Sequence, residues 1–205
     1  MERMAAISER RGADEHRRKL LSDLSGRVIE LGAGTGSNFP YYPASVKQVV
    51  AVEPEDYLRK QAEQTAIMAP VSVSVLDAVA DELPGEYGSF DAGVVAQVLC
   101  SVPNQNSALA ELFRVIRVGG ELRFYEHVMA RKPLAARLQH LVDAVFWPRM
   151  FGGCHLTRET GAAIERAGFV IESCERFIFS PAPLLPLPYI LGLARRPDYS
   201  EVHDG

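Results

Sequence analysis

Three glycines at alternate positions, Gly32, Gly34 and Gly36, follow a short apolar run in the stretch "VIELGAGTGSN". Missing side chains at that density let a ligand lie against the backbone. Two phosphate-binding patterns are absent. A dinucleotide loop needs glycine where Ser37 stands, and the third glycine comes one residue early, at Gly36. A Walker-type loop needs Gly-Lys-Ser/Thr, which does not follow. Glu30, two residues before Gly32, would repel a pyrophosphate and suit a ligand carrying positive charge. Glu53 stands 21 residues after Gly32, in "AVEP", where a carboxylate accepts from ribose hydroxyls. Asp77, in "VLDAVADELP", could accept from the exocyclic amine of a base. Together these describe a nucleoside without phosphates and with a cationic or amino-acid part. S-adenosylmethionine answers that description.

That ligand sets the chemistry. A methyl on a sulfonium is attacked in line, so the protein must hold two reactants in contact, in line and dry, with no covalent intermediate. A thiol acceptor must also lose its proton, because the thiolate is the nucleophile. His127, in "YEHV", is the candidate base, its type being tuned for proton transfer near neutral pH. A ring that merely holds the following loop fits the same position. Glu126 alternates to the other face of the strand and could serve instead. His155, in "GGCHLTR", either lines the acceptor pocket or caps a helix. Cys154 beside it needs no nucleophilic role, and Cys100 and Cys174 read as core.

These residues need elements to position them. Apolar strand patterns at 27–31, 47–52, 71–76, 90–99, 121–128 and 169–178 alternate with helical spacing at 55–68, 106–116, 134–147 and 157–167. Residues 1–24 read as an amphipathic helix in part. The alternation predicts an α/β fold: a Rossmann-like, doubly wound, mostly parallel sheet with helices on both faces. In such sheets ligands bind at the carboxyl ends of the strands, where the glycine loop falls. Within the 134–147 segment, Leu134, Leu138, Leu141, Val142, Val145 and Phe146 share one helical face. That face is expected to pack as core or to lid an apolar acceptor, with the N-terminal helix as the second lid. One domain over 1–205 is expected: an N-terminal helical lid (1–24), a cofactor-binding core (27–127), an acceptor-side insertion (128–156) and a C-terminal helix and strands (157–205).

Composition excludes other classes. The chain has 205 residues, 47% hydrophobic and 23% charged, with a net charge of −4 and a pI near 5.8. No broad basic field is present to hold nucleic acid. The one basic cluster, Arg10, Arg11, Arg17, Arg18 and Lys19, is mixed with acids and reads as a solvated helix face. Three cysteines, far apart and with no CxxC pair, argue against a disulfide framework or a zinc site, and no metal is expected. No signal peptide is read at the N-terminus, and the longest apolar stretch, 181–194, is broken by four prolines. The expectation is a cytoplasmic monomer or homodimer acting on a small molecule, without stable membrane insertion.

Five stretches in order, "VIELGAGTG", "VVAVEP", "LDAVADELP", "FDAGVVAQVLCSV" and "RVIRVGGELRFYEHV", resemble the successive motifs of class I S-adenosylmethionine-dependent methyltransferases, over residues 27–127. More narrowly, "VLCSV", "FYEHV" and "GGCHLTRETGAAIERAGF" resemble the methyltransferase-like thiol S-methyltransferases of animals and their bacterial relatives. The resemblance implies a seven-stranded sheet, methyl transfer, and S-adenosylhomocysteine as product. Carried over residue by residue, it implies that Glu30, Gly32, Ala33, Gly34, Thr35 and Gly36 hold the methionine part. Glu53, with Pro54 after it, takes the ribose, Asp77 and Ala78 face the adenine, and Gln97 lines the methionine end near the reacting methyl. The expected acceptor is a small apolar thiol. A lipid headgroup or quinone ring, or a non-catalytic S-adenosylmethionine binder, are the alternatives.

Overall fold

A computed structural model describes residues 9–183 and 185–198. Seven strands form one sheet: β1 (Gly26–Leu31), β2 (Val46–Val52), β3 (Val73–Leu76), β4 (Phe90–Ala96), β5 (Ile116–His127), β6 (Val170–Phe179) and β7 (Leu187–Arg195). Their spatial order is β3-β2-β1-β4-β5-β7-β6. The first five pair in parallel, and β7 runs antiparallel to both β5 and β6. The helices are α1 (Asp14–Leu21), α2 (Asp56–Ala66), α3 (Gln105–Val115), α4 (Pro133–Val145), the short α5 (Trp147–Met150) and α6 (Thr160–Arg166).

The central strands are apolar on both faces because both faces are covered. Leu109, Leu112, Ile164 and Phe169 belong to one buried cluster, Leu20, Leu21, Leu24, Phe39 and Tyr42 to the other. The chain leaves β1 for β2 and β3 on one side, then crosses to β4 and β5 on the other. The cleft beyond the carboxyl ends of β1 and β4 is thus the switch point where open α/β sheets bind ligands.

Several expected elements differ. Residues 1–8 of the expected N-terminal helix lie outside the described residues. The rest is an irregular turn, Glu9–Ala13, with Gly12 at φ 105°, followed by α1. Leu20, Leu21 and Leu24 are buried, and the His16 ring packs among Tyr125, Phe177 and Phe179, so the described part of this segment is core. Helix α4 ends at Val145, before Pro148; Pro148 instead opens α5, where a missing N–H costs nothing. The proline-broken stretch holds β7. Its Pro188 precedes Tyr189, which pairs with the last residue of β5, and Pro188 O accepts from Val128 N at 2.8 Å. Cys174 lies exposed on β6 rather than in the core.

The insertion differs most. Of the apolar face of α4, Val142 packs against the core, while Leu134, Leu138, Leu141, Val145 and Phe146 are exposed, Leu134 to 80%.

Candidate active site

The glycine loop is tied to the neighbouring strand. Gly32 N and Ala33 N both donate to Val52 O, at 2.9 and 3.0 Å. Gly32 sits at φ +68°, and a Cβ there would lie 2.2 Å from Val98 Cγ2. Gly34, at φ +57°, has nothing within 4 Å of where its Cβ would be, and it lines a cavity of about 1040 Å³. Its N–H donates to Glu53 Oε2 at 2.9 Å, and Glu55 N donates to Glu53 Oε1 at 3.1 Å. Backbone donors therefore aim the buried Glu53 carboxylate before any ligand arrives.

The cavity wall is built at the ends of four strands. Leu31 ends β1, and Gly32 and Gly34 follow it; Glu53, Pro54 and Glu55 follow β2; Val79, Ala80 and Asp81 follow β3; Gln97, Val98 and Ser101 follow β4. Tyr57 and Leu58 of α2 and Val102, Pro103, Phe151 and Gly152 complete it. Gln97 has φ 60°, a left-handed conformation that costs a non-glycine residue roughly 1–3 kcal/mol and clusters at ligand sites. Its N–H donates to Tyr125 O at 2.8 Å, while its side-chain Nε2 is buried without a partner. An open cradle over Gly34, an aimed carboxylate and an unpaired amide in one wall fit a polar nucleoside ligand.

Of the residues expected from sequence, Gly32, Gly34, Glu53, Pro54 and Gln97 line this cavity. The others do not. Glu30 turns beneath the loop, where its carboxylate accepts from Asn38 Nδ2 at 2.8 Å and Tyr42 Oη at 2.6 Å. Arg17 in turn donates to Asn38 Oδ1 at 2.6 Å. Burial lifts the Glu30 pKa to about 7 against those two hydrogen bonds. Ala33 packs into the core, Gly36 faces the Phe39 ring, and Thr35 O accepts from Thr65 Oγ1. These residues shape the loop from behind. Asp77 follows the last residue of β3, points to solvent and lies 3.4 Å from Arg59, and Ala78 packs against the core. Of the two acids, the one that lines the cavity is Asp81, four residues on in the loop after β3. Nothing in the linear motif separates the two. Tyr57 and Ser101 were equally hidden in sequence.

The residues expected on the acceptor side form a second centre. His127, at the end of β5, is buried, and its Nε2 lies 2.9 Å from Cys154 Sγ. Trp147 Nε1 donates to the same sulfur at 3.4 Å, and Trp147 stacks on Phe151 of the cavity wall with ring centroids 4.0 Å apart. Hydrogen bonding from Cys100 and the neighbouring His127 pull the Cys154 thiol well below the usual thiol range, despite its burial. Burial opposes the His127 charge, but the bond to Cys154 together with the charges of Cys154, Glu126 and Asp143 holds the imidazole pKa above its ordinary value. Glu126 points away from this centre: its Oε1 accepts from Val98 N and Leu99 N, at 3.0 and 3.1 Å, and burial lifts it to about 7. His155 pairs with Asp143 at 2.9 Å, and Asp143 also accepts from Leu156 N and Thr157 Oγ1, fastening the loop to α4. Neither His127 nor His155 belongs to the cavity wall. The separation of the three cysteines along the chain gave no hint of a cluster, yet the fold brings Cys100 and Cys154 to the same histidine.

Comparison with known proteins agrees with this geometry. Residues 29–124 match the family model described as a methyltransferase domain. The mouse thiol S-methyltransferase TMT1B is 37% identical over 186 residues, spanning 86% of this chain and 74% of that protein. The human thiol S-methyltransferase TMT1A is 36% identical over 201 residues, spanning 87% and 77%. Among solved structures, the N-methyltransferase NodS of Bradyrhizobium japonicum superposes with a TM-score of 0.65 at 20% identity, covering 93% of this chain and 97% of that one. The last likeness speaks for the fold alone.

Proposed function

The chain belongs to the S-adenosylmethionine-dependent methyltransferases, and from that premise we propose that its acceptor is a small apolar thiol. The enzyme is a class I methyltransferase with a Rossmann-like seven-stranded sheet, and S-adenosylmethionine is its methyl donor. Bound there, the donor supplies an electrophilic methyl on a sulfonium sulfur. We assign Glu53 to the ribose hydroxyls, Gly32 and Gly34 to the methionine part, and Gln97, with its unpaired amide, to the methionine end. For the adenine amine we assign Asp81, the acid after β3 that lines the cavity, in place of Asp77.

One observation carries the acceptor reading: the same cavity continues from the Glu53 carboxylate to Val102, Pro103, Phe151 and Gly152, which bring no charged side chain. A wall of that kind suits an apolar acceptor. The relatives named as thiol S-methyltransferases support sulfur as the accepting atom. A thiol is neutral near pH 7 and must shed a proton before attack. His127 does not line the cavity, and the Cys154 it meets is linked to the wall through Trp147 and Phe151, so we assign it a positioning role rather than direct contact with the acceptor.

The test is a panel of thiols, amines and quinols with methyl-labelled S-adenosylmethionine. Turnover of apolar thiols above all amines and quinols is expected. Clear turnover of a quinol or an amine lipid with none of any thiol overturns the assignment.

A further inference from the structure

The cluster outside the cavity wall has a composition that the positioning role given to His127 does not account for. Among the described residues, Cys100 Sγ, a His127 ring nitrogen and Cys154 Sγ lie within 4.8 Å of one another. They come from three places: the turn after β4, the end of β5, and the loop after α5. No carboxylate joins them, so the set is soft to borderline and unsuited to magnesium or calcium. Both sulfurs also sit next to groups able to donate to a thiolate. Trp147 Nε1 donates to Cys154 Sγ at 3.4 Å, and Ser101 Oγ lies 3.4 Å from Cys100 Sγ. Such outer partners orient metal ligands and stabilise their anionic form.

We propose that Cys100, His127 and Cys154 bind a zinc ion. With bonds of about 2.3 Å to sulfur and about 2.0 Å to nitrogen, zinc spaces its ligand atoms roughly 3.3–3.8 Å apart, which is the scale of this cluster. Two cysteines and one histidine are a known zinc donor set, and three protein ligands leave a fourth position for water or a small thiolate. Binding leaves two thiolates and a neutral imidazole, so the protons these three side chains held are released to solvent, and no oxidation state changes. The ion would fasten the acceptor-side loop to the ends of two strands, which is where a link between insertion and sheet is needed. The inference stands apart from the acceptor reading, because metal content is measured without any acceptor.

The experiment uses the full chain, expressed with zinc in the medium and purified under reducing conditions without chelator. Metal is counted by mass spectrometry, and cobalt is titrated into the stripped protein. One zinc per chain is expected, with an intense sulfur-to-cobalt charge-transfer band in the near ultraviolet. Cys154→Ser and His127→Ala should lower zinc content at least tenfold. Cys174→Ser, on the exposed face of β6, should leave it unchanged. Circular dichroism and S-adenosylmethionine binding check that the variants fold. A wild-type protein with both thiols free that takes up neither zinc nor cobalt overturns the site, whatever the variants do. So does a purified protein two hydrogens lighter, with Cys100 and Cys154 joined as a disulfide, or one holding copper in place of zinc.

Discussion

The two sides of the cavity are built by different means. On the cofactor side, main-chain groups do the positioning: Gly32 N and Ala33 N hold the loop to Val52 O, and Gly34 N and Glu55 N aim Glu53. On the acceptor side, side chains do it: Asp143 holds His155, Leu156 and Thr157, His127 meets Cys154, and Trp147 stacks on Phe151. Backbone geometry is insensitive to side-chain identity and suits a ligand that never changes. Side-chain fastening can be rewritten residue by residue and suits the half we propose to choose the acceptor. Fold and function separate along the same line.

The largest expected break is Glu53→Ala. It removes the aimed carboxylate, and cofactor affinity should fall by about 2–4 kcal/mol. Calorimetry on the folded variant checks this, and an unchanged Kd contradicts the assignment. Asp143→Ala attacks the other side. Losing three hydrogen bonds to one partly buried carboxylate should cost about 1–3 kcal/mol. Acceptor KM should rise while S-adenosylmethionine affinity stays within twofold. A matched loss of both affinities would show that the two sides are not separately fastened.

A smaller effect sharpens the cofactor side through pH. Folding raises the Glu30 pKa from 4.5 to about 7. Between those values the folded chain keeps a proton the unfolded chain has lost, so this group's contribution to stability declines as pH rises through the window. The slope is at most about 1.4 kcal/mol per pH unit and vanishes above the folded pKa. Glu126 has a similar shift, so the parent retains slope of its own. The difference between Glu30→Gln and parent isolates Glu30: the variant should gain on the parent from pH 5 to 7.5 in denaturant melts. Parallel profiles would remove Glu30 from the account. The smallest effect is Leu141→Ser on the exposed face of α4, expected within ±0.5 kcal/mol in the same melts. A cost of several kcal/mol would mean that this face is buried in solution.

The same contrast explains what could be read from sequence. The glycine loop and Glu53 were legible because the backbone demand is written locally, as residues that only certain turns accept. The five parallel strands were legible because burial on both faces leaves continuous apolar runs. Strand β7 was not, since Pro186 and Pro188 disguise a strand whose pairing begins just past the end of β5. The α4 face was misleading: helical periodicity of leucines reports an apolar stripe and says nothing of what covers it. Nothing in the linear motif separates Asp77 from Asp81. The meeting of Cys100, His127 and Cys154 was invisible, because no local spacing encodes contacts between a strand turn, a strand end and a distant loop.

Three consecutive residues at the end of β5 serve both sides of the cavity. Tyr125 O accepts from Gln97 N, Glu126 accepts from Val98 N and Leu99 N, and His127 meets Cys154. This strand end is therefore the common datum for the donor and acceptor seats as we propose them. In-line transfer tolerates little error in the gap between them, and that gap is spanned here by three adjacent residues of one strand. An error introduced at this point would therefore move wall residues and the His127 cluster together.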